Sequence, residues 1–342
     1  MRGKGILCAG NMIVDITYPI ETWPRQNELT HITDGIERST GGAVCNTVTD
    51  LARLDAELPL QVSGCAGHDA EGEYVLSELG KYPNIDLGMV RREGRTSFTA
   101  VMLNNKTKER TFFHHVGANA LYSEKDIDWD RLRADIFHIG YILLLPALDQ
   151  EDAEYGTRMA RLLHDVRERG IRTSVDLVSE TGGRFRKLVV PALKYTDYCI
   201  INELEAQQTT GVLLREEGGA FRRENIPEAL SKLKELGVSR WAVIHCPEGG
   251  YGLDEEGAFH ACPSLDLPKG WIRGTVGAGD AFCAGVLYAA EKDLPLYEAL
   301  KYGACTAAAS LSEVNASDGV GTVSEVLALY DRFGLPEGEK RC

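Results

Sequence analysis

The sequence predicts an α/β fold: a central, mostly parallel sheet covered by helices on both faces, with a second, smaller β-sheet inserted into it. Three observations predict it. From residue 136 onward, short apolar runs alternate with longer amphipathic ones, the rhythm of βα units. Between about residues 15 and 38, and again between about 91 and 116, short strand-like runs belong to no such unit. Late in the chain, the stretch GTVGAGDAFCAGVL (residues 274–287) is a small-residue turn running into an apolar helix, with one carboxylate, Asp280, at its mouth.

Composition narrows the class. At 342 residues and 44% hydrophobic, the chain can bury a sizeable core, and with no internal repeat or low-complexity linker residues 1–342 read as one domain carrying the insertion. The 37 Lys and Arg against 51 Asp and Glu give a net charge of -14, unfavourable for nonspecific nucleic-acid or anionic-membrane binding. A phosphate partner must therefore meet a local site. The nine cysteines form no C-x-x-C pair and no metal-ligand spacing, as expected of reduced thiols. Residues 1–12 carry no signal-peptide pattern, and the longest apolar stretch, 137–148, is too short to span a bilayer. The expected location is cytoplasmic.

In chain order, residues 5–10 form a buried first strand ending in Gly-Asn, and Asp15 follows it. A carboxylate just past a strand's C-terminal end lies where open α/β sheets bind ligands; the competing reading is a turn Asp bonded to its own backbone. Residues 17–20 and 29–36 read as two short strands around a polar connection. Thr40-Gly41-Gly42-Ala43-Val44-Cys45-Asn46 opens a helix through Leu54. Gly41 and Gly42 permit close approach, and Asn46, one turn in, can donate and accept toward a ligand hydroxyl, a reading that competes evenly with a structural one. Residues 61–67 are a strand, with Asp69 capping the helix that follows. Residues 96–103 and 110–116 alternate as a hairpin around the turn 104–108, and Arg110, Phe112, His114 and His115 lie on it. Then come a strand over 136–145, a helix over 150–169, a strand over 172–177, a helix over 185–193, and strands over 198–202 and 241–246.

The late turn carries the chemistry. Gly277 and Gly279 let a ligand reach the main chain, and the first N–H groups of the following helix lack intrahelical partners, so the turn reads as an anion site. A fixed acid repels an anion unless it handles a proton or a metal, which suits phosphoryl transfer; the plainer reading is an acid complementing the helix dipole. Phe282 stands where a dinucleotide fingerprint needs its third glycine, and no Walker A sequence occurs.

The stretch resembles the C-terminal signature D-T-x-G-A-G-D of the ribokinase-like (PfkB) carbohydrate kinases, with Gly274 where the family has Asp. Residues 41–46 resemble the family's G-G-x-G/A/P-x-N signature, with Val44 departing at the small-residue position. Asn202-Glu203-Leu204-Glu205 is similar to its N-x-x-E motif, and residues 246–249 to its G-x-x-G loop, Cys246 replacing the first glycine. The motifs occur in the family's order along essentially the whole chain. The resemblance implies a ribokinase-like three-layer fold whose small sheet is a lid, and transfer of the γ-phosphoryl of ATP to a hydroxyl of a sugar or similar polyol. It implies Asp280 as base and the N–H groups of Gly277, Ala278 and Gly279 as anion hole. Asp15, Gly41, Gly42 and Asn46 would hold substrate hydroxyls, with Arg110 contributing from the lid. Asn202, Glu205, Cys246, Gly249 and Gly319 would lie along the nucleotide, Glu205 reaching Mg2+ through water. A homodimer through the lid is left open. Many of these kinases hold a potassium ion with the Asp that Gly274 replaces, so weak or absent potassium activation is expected. Two other readings stay open: a nucleoside kinase of the same family, presenting Phe112, Phe113 and Trp23 to a base, and a catalytically silent sugar-binding or regulatory protein, which Gly274, Val44 and Cys246 would allow.

Overall fold

Apolar runs without a polar face must be covered on both sides, and the chain does this with one nine-stranded sheet between two helical layers. The computed structural model describes residues 5–107, 109–180 and 182–334; Lys108 of the hairpin turn and Cys342 lie outside these. The first strands are β1 (Ile6–Gly10), β2 (Ile13–Ile20), β3 (Glu37–Gly41), β4 (Leu60–Ala66), β5 (Ile85–Arg92), β6 (Ser97–Asn104), β7 (Arg110–His115) and β8 (Ile136–Ile142). After the two-residue pair β9 (Glu151–Asp152) and β10 (Gly156–Thr157) come β11 (Arg172–Leu177), β12 (Tyr198–Asn202), β13 (Trp241–Cys246), β14 (Gly249–Leu253) and β15 (Phe259–Pro263). The helices are α1 (Gly42–Leu54), α2 (Ala70–Leu79), α3 (Arg158–Arg167), α4 (Phe185–Leu193), α5 (Glu203–Thr210), α6 (Ile226–Glu235), α7 (Ala278–Glu291), α8 (Leu296–Ser310) and α9 (Val323–Phe333).

The large sheet runs β15-β14-β13-β12-β11-β8-β1-β4-β5, parallel from β13 to β5, with β14 and β15 antiparallel at one edge. Period-two alternation splits β1 between two cores. Ile6 and Cys8 face the core shared with α1, α7 and α8, whereas Leu7 and Ala9 face that of α3, α4 and α6. Connections run outward from β1 in opposite directions, to β4 on one side and β8 on the other, which opens a crevice beyond the C-terminal ends of β1 and β8. A second sheet, β3-β2-β6-β7, rises beside that crevice, with β2 and β6 parallel and the outer pairs antiparallel.

Three element boundaries differ from expectation. Residues 29–36 form no strand beyond a bridge from Ile32 to Ile20, and Leu29, Ile32 and Ile36 are exposed. The partner of β2 is instead β3, in a register from Ile13↔Gly41 to Thr17↔Glu37, because β3 runs directly into α1. The helix expected over 150–169 begins at Arg158, where the Thr157 hydroxyl accepts from Ala160 N at 3.1 Å. The strand expected over 136–145 ends at Ile142, since Leu143 takes φ 82 and turns the chain. No helix among the described residues is long and apolar enough to cross a membrane.

One polar group in this packing is poorly served. Asp50 of α1 is 0% exposed, and among the described residues neither carboxylate oxygen has a partner in good hydrogen-bonding geometry. Burial pushes its pKa well above the usual carboxylate range and the Asp280 charge adds to this, while Ser317 and Arg53 oppose it. A carboxyl whose native pKa is raised contributes its stability below the unfolded pKa of about 4 and loses it as pH rises through the native value. Asp50→Asn is therefore expected to raise stability at pH 8 by about 1–3 kcal/mol, with the gain shrinking toward pH 4. Thermal melts at the two pH values test this; a lower melting temperature than wild type at pH 8 would contradict it.

Candidate active site

The glycine turn before α7 ends at Gly277, which adopts φ 78 and whose Cβ, if present, would stand 2.3 Å from that of Ala316. Both the left-handed backbone and the close neighbour require glycine. The chain then enters α7 at Ala278 with no side-chain cap, so the N–H groups of its first turn remain available to a ligand.

Asp280 is gripped from two further elements. Asn46 Nδ2, on α1, donates to Oδ2 at 2.8 Å, and the Tyr141 hydroxyl, on β8, donates to Oδ1 at 2.7 Å. Burial raises the Asp280 pKa, and these two donors oppose the rise. Asn11, just after β1, ties the arrangement together: its Oδ1 accepts from Tyr141 N at 2.6 Å, and its carbonyl accepts from Val44 N in the first turn of α1. Tyr141 was missed in the sequence, although a polar tip at the end of an apolar strand is the signal that selected Asp15.

A cavity of about 250 Å³ opens in front of Asp280, with Tyr141, Asp176, Ser179, Asn202, Glu205 and Gly279 in its wall. Asn202 caps α5 by accepting from Leu204 and Glu205 N, while Glu205 accepts from Asn202 N at 3.0 Å and from the Ser179 hydroxyl at 2.9 Å. Burial pushes Glu205 up to about 7, against these hydrogen bonds. Asp176, also missed in the sequence, is raised well above the usual range by burial and by the charges of Glu205 and Asp280. Three buried carboxylates thus face one space with no ion-pair partner among the described residues, an arrangement that a cation would relieve. No three or more His, Cys, Asp or Glu among the described residues form a metal cage. This donor set fits magnesium, which keeps several waters and takes further ligands from phosphates.

On the other side of Gly279 lies a cavity of about 550 Å³ with Asn202, Cys246 and Gly249 at one end and Leu265, Ile272, Ala304, Ala308 and Leu311 forming apolar walls. Burial pushes the Cys246 thiol up to about 12, so it serves as neutral wall. Gly319 is not among the residues lining this cavity. It lines a separate one of about 330 Å³ with Trp271 and Asp318, and a Cβ there would stand 2.2 Å from Ala309 O. Close packing on α8 requires a glycine at this position.

On the acceptor side, Asp15 sits in β2 beside Thr99 of β6, which pairs with His114 of β7. Residues paired across strands share a face, so Arg110, Phe112 and His114 lie on the Asp15 side of the small sheet, whereas Phe113 is on the other. Burial pushes Asp15 up to about 6, opposed by a Thr99 hydrogen bond, reinforced by Asp280 and eased by Arg110. Gly41 makes room for it: a Cβ there would stand 2.3 Å from Asp15 Oδ2. Gly42 has φ 85 and packs on Asn11 O. At Gly274 a Cβ would meet Val314 O at 2.7 Å and Glu313 O at 2.9 Å, so the following loop fills the space a side chain would need.

A model described as pfkB family carbohydrate kinase matches residues 4–322. The chain is 23% identical over 325 residues to ribokinase of Schizosaccharomyces pombe, covering 94% of this chain and 96% of that protein. It is 26% identical over 308 residues to probable chloroplastic fructokinase-6 of Arabidopsis thaliana, covering 86% and 72%. Among solved structures, Arabidopsis thaliana ribokinase complexed with ribose and ATP matches with TM-score 0.79 at 22% identity, covering 96% of this chain and 99% of that one. Ribokinase of Thermotoga maritima matches with TM-score 0.77 at 20% identity, covering 96% and 99%. The fold is ribokinase-like, with a mostly parallel central sheet and a small separate one.

The contact between Gly41 and Asp15 is open to a direct test. Gly41→Ala is expected to cost about 1–3 kcal/mol of stability, the range for overpacking, and most of that cost should vanish in an Asp15→Ala background. Equal costs in the two backgrounds, read from chemical denaturation, would show that the carboxylate is not what excludes the methyl group.

Proposed function

Because this chain belongs to the pfkB family of carbohydrate kinases, and is a phosphotransferase with an alcohol group as acceptor, we propose that it transfers the γ-phosphoryl of ATP to a hydroxyl of a sugar or sugar-like polyol. The observation that carries the reading is the double hold of Asn46 and Tyr141 on Asp280, in the wall of the smaller cavity and in the first turn of the uncapped α7, whose Gly279 lines both cavities.

In this reading the main-chain N–H groups of Gly277, Ala278 and Gly279 take up charge developing on the transferred group. Asp280 orients the attacking hydroxyl and accepts its proton late, as a loose transition state allows. Asn46 and Tyr141 keep that carboxylate aimed and favour its ionised form. Asp15 and Asn46 hold other hydroxyls of the acceptor, Gly41 and Gly42 admit it close to the backbone, and Arg110 acts from the small sheet serving as lid. Magnesium, when bound, offsets the charge of the phosphates; Glu205 and Asn202 would hold its waters. The apolar cavity bounded by Cys246 and Gly249 suits a nucleotide base. A nucleoside acceptor has one observation in its favour, Phe112 at 58% exposure on the Asp15 face. Trp23 stacks instead on Phe113, which lies on the opposite face.

Screening ATP consumption against free sugars, phosphosugars and nucleosides tests the reading, with turnover expected only when an acceptor is present. On the best acceptor, Asp280→Ala should lower kcat by about 10²–10⁴ while ATP binding and the melting transition persist. A carboxylate that only complemented the helix dipole would cost about 0.3–1 kcal/mol of stability and little turnover. Wild-type turnover in this variant would falsify the catalytic role. With Val314 and Glu313 backbone packed against Gly274, exchanging sodium for potassium at constant ionic strength is expected to leave turnover unchanged; a saturable potassium dependence would contradict this.

A further inference from the structure

An arginine whose every nitrogen is bonded within the chain acts through the groups it joins. Arg215 is such a residue. The connection from α5 to α6 leaves the helix at Gly211, with φ 78, and residues 214–222 turn back on themselves: Arg222 N donates to Leu214 O at 2.7 Å and Glu216 N to Ala220 O at 3.0 Å. Gln207 of α5 anchors this reversal, its Oε1 accepting from Leu214 N at 2.7 Å and from Arg215 N at 3.0 Å. Phe221 packs it on Tyr251 of β14, with ring centroids 6.1 Å apart.

The reversal turns Arg215 inward, with its side chain 17% exposed. Nε donates to Glu203 Oε1 at 2.7 Å, Nη1 and Nη2 donate to Glu248 Oε1 and Oε2 at 3.2 and 2.7 Å, and Nη1 also reaches Gly219 O at 2.9 Å. The guanidinium lies 5.1 Å from the centre of the Phe221 ring. A planar fork held in this way fixes the separation of two carboxylates, which the single ammonium of a lysine does not.

Those carboxylates belong to two segments that frame the larger cavity. β12 and β13 run side by side as far as Asn202 and His245, then diverge, one into α5 at Glu203 and the other into the turn at 247–248. Asn202, Glu203 and Leu204 line the cavity from the first segment, and Cys246, Pro247 and Gly249 from the second. Resting on the kinase reading of that cavity, we propose that Arg215 is a positioning residue for the nucleotide: it ties the start of α5 to the β13–β14 turn and so holds the cavity in the shape that takes ATP, without touching ATP itself. Two carboxylates left together without their common cation repel, so removing Arg215 spreads the two segments instead of leaving them in place.

Calorimetric titration with ADP, together with steady-state kinetics in MgATP on the best acceptor, tests this on wild type, Arg215→Met and Arg215→Lys. Arg215→Met keeps the stem and removes the fork, and should weaken ADP binding and raise the KM of MgATP by about 10-fold, within the range for groups coupled through one network. The KM of the acceptor, and kcat at saturating MgATP, should hold at their wild-type values, because Asp15, Asn46 and Tyr141 sit on other elements. Arg215→Lys, which keeps the charge and cannot span both carboxylates, should fall between the two. Unchanged ADP affinity in Arg215→Met, with or without a lower melting temperature, marks an ion pair that serves stability alone and would overturn the proposal. So would KM values for MgATP and acceptor that rise together. Wild type that neither binds ADP nor turns over MgATP would overturn the kinase reading, and this proposal with it. If Arg215→Met melts early, Arg215→Lys gives the same readout at smaller amplitude.

Discussion

The site is built around one buried carboxylate, Asp280, held by donors from two other elements. Asp280 gives up most of its hydration, which by itself favours the neutral acid, and two donors from separate elements oppose that shift. Everything nearby serves that balance. Asn46 arrives only because α1 starts directly after β3, Tyr141 only because β8 lies beside β1, and Asn11 bonds to both neighbours at the crossing.

The same economy of charge extends across the crevice. Asp15, Asp176, Glu205 and Asp280 are all pushed toward the neutral form by burial, and each of the first three also feels the Asp280 charge. Such mutual repulsion in a folded protein is tolerated where ligands supply the missing positive charge and hydrogen bonds. On the proposed reading it also lets a strongly acidic chain handle a phosphate: backbone N–H groups at a glycine turn carry no net charge, would bind the anion, and would leave the neighbouring acids free for metal and hydroxyl.

Expectations failed where pairing, not local pattern, decides structure. Apolar spacing over residues 29–36 imitates a strand, yet β2 pairs with the polar segment Glu37–Gly41, because continuity into α1 fixes which residues lie opposite it. Asn202 and Glu205 show the converse: their reciprocal cap is an ordinary helix start, and the same two side chains also line the cavity before Asp280.

By itself the sequence determined the βα rhythm, the glycine turn with its acid, and the motif order that marks the family, since these rest on local spacing and on glycines whose backbone freedom is visible in one dimension. Tertiary structure alone decided that Tyr141 and Asn46 grip Asp280, that Asp176 joins its cavity, and that Gly41 yields space to Asp15. Those relations join residues from 26 to more than 200 positions apart in sequence. Only the strand order and the packing of α1 and α7 on the sheet bring such positions together, and no local pattern encodes that distance.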